Sequence, residues 1–245
     1  MVEYSEQLIQ ETIAVWSPKY GYELSKDEAI EIIRNLTGFF EVLRDMANEI
    51  SRGLDRDLIN CTDYRPVREI DAVVPDDKGL YCIRLKQGSV LPSEYQRELE
   101  KRKSRLIYIG KAEKNTLQKR MLHQELRGRG HGTFFRSVGT MLGCLPPRGS
   151  LKDKSNQRNY KFSRDDQEQI VNWMNENLEV SWVKFDGPFL FEKYLIQDHS
   201  PLLNIDHNSR CLEILKADRE RCRQFALNQR QPRSYSALDQ DAIVE

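Results

Sequence analysis

Two short β-rich runs, Gly79-Leu80-Tyr81-Cys82-Ile83-Arg84-Leu85 and Leu106-Ile107-Tyr108-Ile109-Gly110, constrain this chain more than any other feature. Between them lies a polar stretch, Lys86 to Ser104, with Gly88 and Pro92 early and a charged, helix-compatible second half. The pair therefore reads as a β-hairpin with a long inserted connection. Helical patterns follow over Leu117–Leu126 and Thr133–Leu142, separated by Gly128, Gly130 and Gly132, and a third opens at Ser163 with Asp166 and stops near Asn177. A third strand, Val180–Phe185, precedes a helix containing Glu192, Leu195 and Ile196 that ends at His199-Ser200-Pro201. Strand, strand, three helices, strand, helix is not the alternation of a doubly wound fold. It predicts an α+β domain with a small three-stranded, mainly antiparallel sheet flanked by helices.

The N-terminal quarter is different in kind. Ala29, Ile32, Ile33, Leu36, Phe39, Phe40, Leu43, Met46, Ala47 and Ile50 recur at spacings of three and four, and Ser25 with Glu28 offers a capping box, so a long amphipathic helix is expected from about Lys26 to Ser51. An earlier helix carrying Leu8, Ile9, Ile13 and Trp16, broken by Ser17, Pro18 and Gly21, completes a helical hairpin. This hairpin is read as an accessory packing or dimerisation element, the route to a homodimer or a partner protein. The expected organisation is a helical accessory region at 1–53, a turn-rich linker at 54–78, the main domain at 79–208, and a C-terminal helix with a polar tail at 209–245.

Composition excludes several classes. Of 245 residues 39% are hydrophobic and 31% charged, which suits a folded soluble protein. Apolar runs fall short of the roughly 18 residues needed to cross a bilayer, and the N-terminus lacks a signal-like apolar core, so a cytoplasmic protein without membrane contact is expected. Five cysteines, Cys61, Cys82, Cys144, Cys211 and Cys222, form no CxxC pair and suggest neither a disulfide framework nor a zinc knuckle. Net charge is zero, yet Lys101–Arg136 holds eleven basic side chains against two acidic ones, a local excess able to neutralise phosphates.

Gly79-Leu80-Tyr81, Tyr108-Ile109-Gly110, Leu117-Gln118-Lys119-Arg120, and Glu192 followed by Leu195-Ile196, Pro201 and Asn204 together resemble the GIY-YIG nuclease family, over about residues 79–208. The resemblance implies a DNA endonuclease using Mg²⁺ or Mn²⁺, with Glu192 as the metal ligand and RNA not excluded as substrate. It implies that Tyr81 takes a proton from the attacking water, that Tyr108 orients Tyr81 or a phosphate, and that Asn204 supports the site. The residue types suit phosphodiester hydrolysis on their own terms. Tyrosines on neighbouring strands can point from one sheet face. A phenol of ordinary pKa near 10 needs nearby cations to act as a base, and Lys111 and Arg120 are the candidates. Arg120 can fork a phosphate, and one carboxylate suffices for a Mg²⁺ that keeps its waters.

Departures from the family pattern also stand in the sequence. His123 lies three residues after Arg120, where members often place His or Tyr at four, and Arg120 stands two residues further from Gly110 than in compact members. The 27 residues from Tyr81 to Tyr108 are more similar to restriction-type members than to compact homing enzymes, which tilts the expected role toward restriction, with a mobile-element association as the other expectation. Arg127, Arg129, His131 and Arg136 are the expected DNA-backbone contacts. The rival expectation is a nucleic-acid-binding or partner-binding protein on an inactive nuclease fold, opposed by retention of both tyrosines, Arg120 and Glu192.

Overall fold

The computed structural model describes residues 4–227, so the expected polar tail beyond 227 lies outside the described residues. The chain divides into two compact units, residues 1–54 and residues 55 onward. In the first, α1 (Glu6–Tyr20) starts at Ser5, whose hydroxyl accepts from Leu8 N at 3.3 Å, and ends at Gly21 with φ 81°. Pro18 does not break this helix as expected. It sits in the last turn, where α1 runs on to the left-handed glycine. Ser25 and Glu28 form the expected reciprocal box: Ser25 N donates to Glu28 Oε2 at 2.7 Å and Glu28 N to Ser25 Oγ at 3.3 Å. From there α2 (Lys26–Leu54) runs 29 residues. Ile9, Ala29 and Ile33 make the small core of this hairpin, while Phe39, Phe40, Leu43 and Met46 further along α2 stay exposed.

The second unit is built on a four-stranded antiparallel sheet in the order β1-β4-β2-β3, comprising β1 (Arg65–Pro66), β2 (Gly79–Leu85), β3 (Leu106–Ala112) and β4 (Leu178–Lys184). The three expected strands are present, and the fourth, β1, pairs only two residues with β4. It comes from the segment expected to be a linker. That segment is instead part of the domain: Leu58, Val67 and Ile70 are fully buried. Three apolar residues dispersed among turn formers carry no periodicity, which is why the sequence hides them.

Helix α3 (Ser93–Arg102) fills the long connection and buries Tyr95 and Leu99. Helices α4 (Thr133–Met141), α5 (Arg164–Asn177) and α6 (Phe191–His199) fall where expected, and α7 (Glu213–Ala226) packs on α4. The segment Gln118–Leu126 is helical but wound as a π-helix. Its backbone closes i→i+5 bonds, as from Arg127 N to Leu122 O at 2.9 Å. No helix among the described residues is long and apolar enough to cross a membrane.

Candidate active site

Strand register sets the centre of the site. Tyr81 on β2 stands opposite Gly110 on β3, and Tyr108 two residues earlier on β3 shares its face, so the two rings are diagonal neighbours with centroids 6.3 Å apart. Phe134 of α4 closes over Tyr108 at 5.0 Å. Glycine is required at 110 for steric reasons: a Cβ there would fall 2.5 Å from the Tyr81 hydroxyl and 2.9 Å from Tyr108 Cε1. Gly79 is likewise confined, with a Cβ position 2.8 Å from Leu117 Cδ1.

Asn204 secures the other side of β3, the edge strand. Its Oδ1 accepts from Ile109 N and its Nδ2 donates to Ile109 O, both at 2.9 Å. The side-chain amide thus replaces a missing neighbouring strand at the residue between Tyr108 and Gly110. Leu202 and Leu203 extend the pairing by donating to Leu106 O and Ile107 O.

Arg120 and Glu192 reach the same cleft from different elements. Tyr108, Lys111, Glu113, Lys114, Arg120, Gln124 and Glu192 line a space of about 470 Å³. Lys111 Nζ lies 3.4 Å from Glu192 Oε2 and 3.3 Å from Glu113 Oε2. Burial pushes the Glu192 carboxyl above the usual carboxylate range, opposed by Lys111. Arg120 Nη1 donates to Gln124 Oε1 at 3.1 Å.

Glu125 was not anticipated. Its side chain is fully buried, its Oε1 lies 2.8 Å from Arg120 Nη2, and its Oε2 accepts from Phe135 N at 3.1 Å. Burial raises this carboxyl as well, with Arg120 pulling the other way. On an α-helix of 3.6 residues per turn, positions five apart diverge by about 140°. The π-winding brings Arg120 and Glu125 together instead, so the usual helical spacings could not have paired them. Gly132 leaves room for that carboxylate, since a Cβ there would sit 2.5 Å from Glu125 Oε1.

The phenols are not poised as the sequence led one to expect. Tyr81 is fully buried and its hydroxyl has no hydrogen-bond partner. Burial first, then Glu125, push its pKa well up, and Arg120 only partly offsets them. Tyr108 is raised by the same two causes, but lines the cleft. His123 is half-buried and does not line it.

Among the expected DNA contacts only Arg129 is exposed. Arg127 is committed inside the fold: its guanidinium holds Asp71 through two nitrogens, Val67 O at 2.8 Å and Asn175 Oδ1 at 3.2 Å. His131 is buried, edge-on to Phe135 at 4.7 Å, with its pKa pushed down to about 4 by burial. Arg136 is buried on α4 and donates to His131 O. Much of the basic excess between Lys101 and Arg136 therefore serves internal bonding. Sequence spacing reports charge but not which side of a helix is covered.

A divalent ion fits the residues present. A half-hidden carboxylate in a roomy cleft suits an ion that keeps several waters and takes a substrate oxygen. No group of three or more His, Cys, Asp or Glu among the described residues forms an all-protein cage. No curated protein and no solved structure matches the chain. The family model described as the GIY-YIG catalytic domain does match, over residues 79–225, which carries the similarity through α7. With that match over more than half of its 245 residues, and with both tyrosine motifs on paired strands beside Arg120 and Glu192, the chain belongs to the GIY-YIG catalytic domain family and is a nuclease of that kind.

Proposed function

We propose that the chain is a metal-dependent endonuclease acting on DNA, with its reaction centre in the cleft between β3, the π-helix and α6. The convergence of Tyr108, Lys111, Arg120 and Glu192 on one cleft carries this reading, because phosphodiester hydrolysis needs a proton acceptor, a phosphate clamp and a metal carboxylate within reach of one phosphorus. Glu192 is the residue to hold Mg²⁺ or Mn²⁺. When bound, the ion supplies positive charge for the leaving oxygen and offsets the Glu192 charge that helps keep both phenols protonated.

Arg120, held by Glu125 and Gln124, presents its guanidinium to a phosphate and stabilises charge as it develops. Lys111 adds a second cation at the Glu192 side. The roles of the two tyrosines follow exposure. Tyr108 faces the cleft and is the phenol that meets water and phosphate, whereas Tyr81, sealed behind it, is a positioning residue that fixes the Tyr108 ring and the close approach at Gly110. Asn204 positions Ile109, the strand residue between Tyr108 and Gly110. We assign His123, on the same π-helix as Arg120, to a phosphate further along the substrate.

A restriction-like role accords with the long spacing between the tyrosine motifs. The exposed apolar face of α2 supports a homodimer or partner contact, which sedimentation of the purified protein tests. Supercoiled plasmid incubated with the protein should be nicked or linearised in Mg²⁺ and left intact in EDTA, and a matched RNA should be cut more slowly. A plasmid untouched in both Mg²⁺ and Mn²⁺ would favour the binding protein on an inactive fold.

A further inference from the structure

A second basic cavity, of about 480 Å³, opens on the side of α7 and is walled by Arg158, Tyr160, Lys216, Arg219, Glu220 and Arg223. Four cations face a single carboxylate. Two of the four are tied by exposed pairs, Lys216 to Glu213 at 2.8 Å and Arg223 to Glu220 at 2.6 Å, which contribute little in water and yield readily to a stronger anion. Arg158 and Arg219 have no carboxylate partner among the described residues.

Arg219 is held on the α4 side of the cavity. Its Nη1 lies 3.4 Å from Ser137 Oγ on α4, and the neighbouring Arg136 is only 7% exposed with its Nε unpartnered. Arg136 and Arg219 stand on packed helices, α4 and α7, and burial followed by Arg219 lowers the Arg136 pKa, with Tyr160 and Glu125 opposing. Four lining cations, with Arg136 on the neighbouring helix, favour an anion in the cavity. Helix α4 links the two spaces, since its Phe134 packs on Tyr108, which lines the reaction cleft, and its Ser137 meets Arg219.

We propose that Arg158, Lys216, Arg219 and Arg223 form a second phosphate subsite that grips the backbone of duplex DNA beside the scissile phosphate. The proposal rests on the nuclease reading above. A duplex presents a charge about every 1.7 Å along its axis, so a strand lying in the reaction cleft carries further phosphates over adjoining surface. Arginine forks recognise such oxygens bidentately and hold the strand in register without reading its sequence.

The test measures binding of a fluorescent 30-base-pair duplex by anisotropy in EDTA, over a range of salt, for wild type and for Arg158→Glu/Lys216→Glu. Both side chains are exposed. Equal melting temperatures confirm the fold, and Arg158→Gln/Lys216→Gln serves as the milder variant. The charge-reversed protein should bind at least about 10-fold more weakly, with a slope of log affinity against log salt shallower by about 2. Unchanged affinity and slope, with wild type cleaving plasmid, would overturn the subsite and leave the nuclease reading standing. A wild type that neither binds nor cleaves would remove both. Inorganic phosphate that competes as well as the duplex, phosphate for phosphate, would mark a free-anion site and overturn the duplex assignment.

Discussion

The phenol of Tyr81 lies over the α-carbon of Gly110, so close that the hydrogen-for-methyl exchange of Gly110→Ala would put a carbon 2.5 Å from the hydroxyl. The last glycine of one motif is thus a steric consequence of the tyrosine in the other. Gly110→Ala should destabilise the domain by about 1–3 kcal/mol through overpacking and displace both rings, with loss of cleavage. Thermal melting and plasmid nicking measured together check it. An alanine variant with wild-type values in both would mean that the strands shift without consequence.

Glu125 should prove a positioning residue for Arg120. Glu125→Gln keeps the shape but removes the charge, and should cost about 1–3 kcal/mol, less than for a fully buried pair because Arg120 is 28% exposed. Cleavage should fall by roughly 10-fold or more as Arg120 loses its anchor. A purely structural role would leave the pH profile in place. Since Glu125 helps hold both phenols protonated, its removal should move the rise of activity with pH to lower pH.

His131 predicts a dependence of stability on acidity. Its folded pKa, about 4, lies below the ordinary 6.5, so the fold favours the neutral ring. The contribution is complete above pH 6.5 and is lost as pH falls through about 4, at most on the order of 3 kcal/mol. Glu125 and Glu192 act with the opposite sign, losing stability as pH rises through their raised values, so the comparison must be with a variant. His131→Asn, which accepts the left-handed backbone at φ 55° and does not titrate, should flatten the difference in melting temperature between pH 6.5 and 4. An unchanged pH dependence would place the titration elsewhere.

The two tyrosines should fail differently. Tyr108→Phe removes the hydroxyl that meets the cleft and should lower cleavage by about two to four orders of magnitude without changing stability. Tyr81→Phe removes an unpartnered buried hydroxyl, should leave stability unchanged or slightly raised, and should lower cleavage less. Single-turnover rates rank them, and the reverse ranking would return the base role to Tyr81.

These residues also show what a sequence makes legible. Strand alternation put Tyr81 and Tyr108 on one face, the Ser25–Glu28 box located a helix start, and the order of elements gave an α+β sheet, all because local periodicity and capping are properties of neighbouring residues. Other features depended on unusual winding or on distant partners. The pairing of Arg120 with Glu125 follows from a π-winding, the internal use of Arg127 from Asp71 some 56 residues away, and the burial of His131 from Phe135 and Phe162. The two-residue strand Arg65–Pro66 exists only because β4 offers it an edge. None of these carries a repeat that a linear reading could detect.

A metal-assisted reaction centre at Glu192 is tested most directly by one titration. Wild type and Glu192→Gln are compared for nicking of supercoiled plasmid as Mg²⁺ rises from zero, with binding of the same DNA followed in parallel. Glutamine keeps the side-chain volume beside Lys111 while removing the anionic oxygen that a hard cation requires. The wild type should acquire activity with Mg²⁺, and Glu192→Gln should bind the plasmid comparably yet stay inactive at every concentration. A Glu192→Gln protein that nicks at the wild-type rate with the same Mg²⁺ dependence would contradict the assignment.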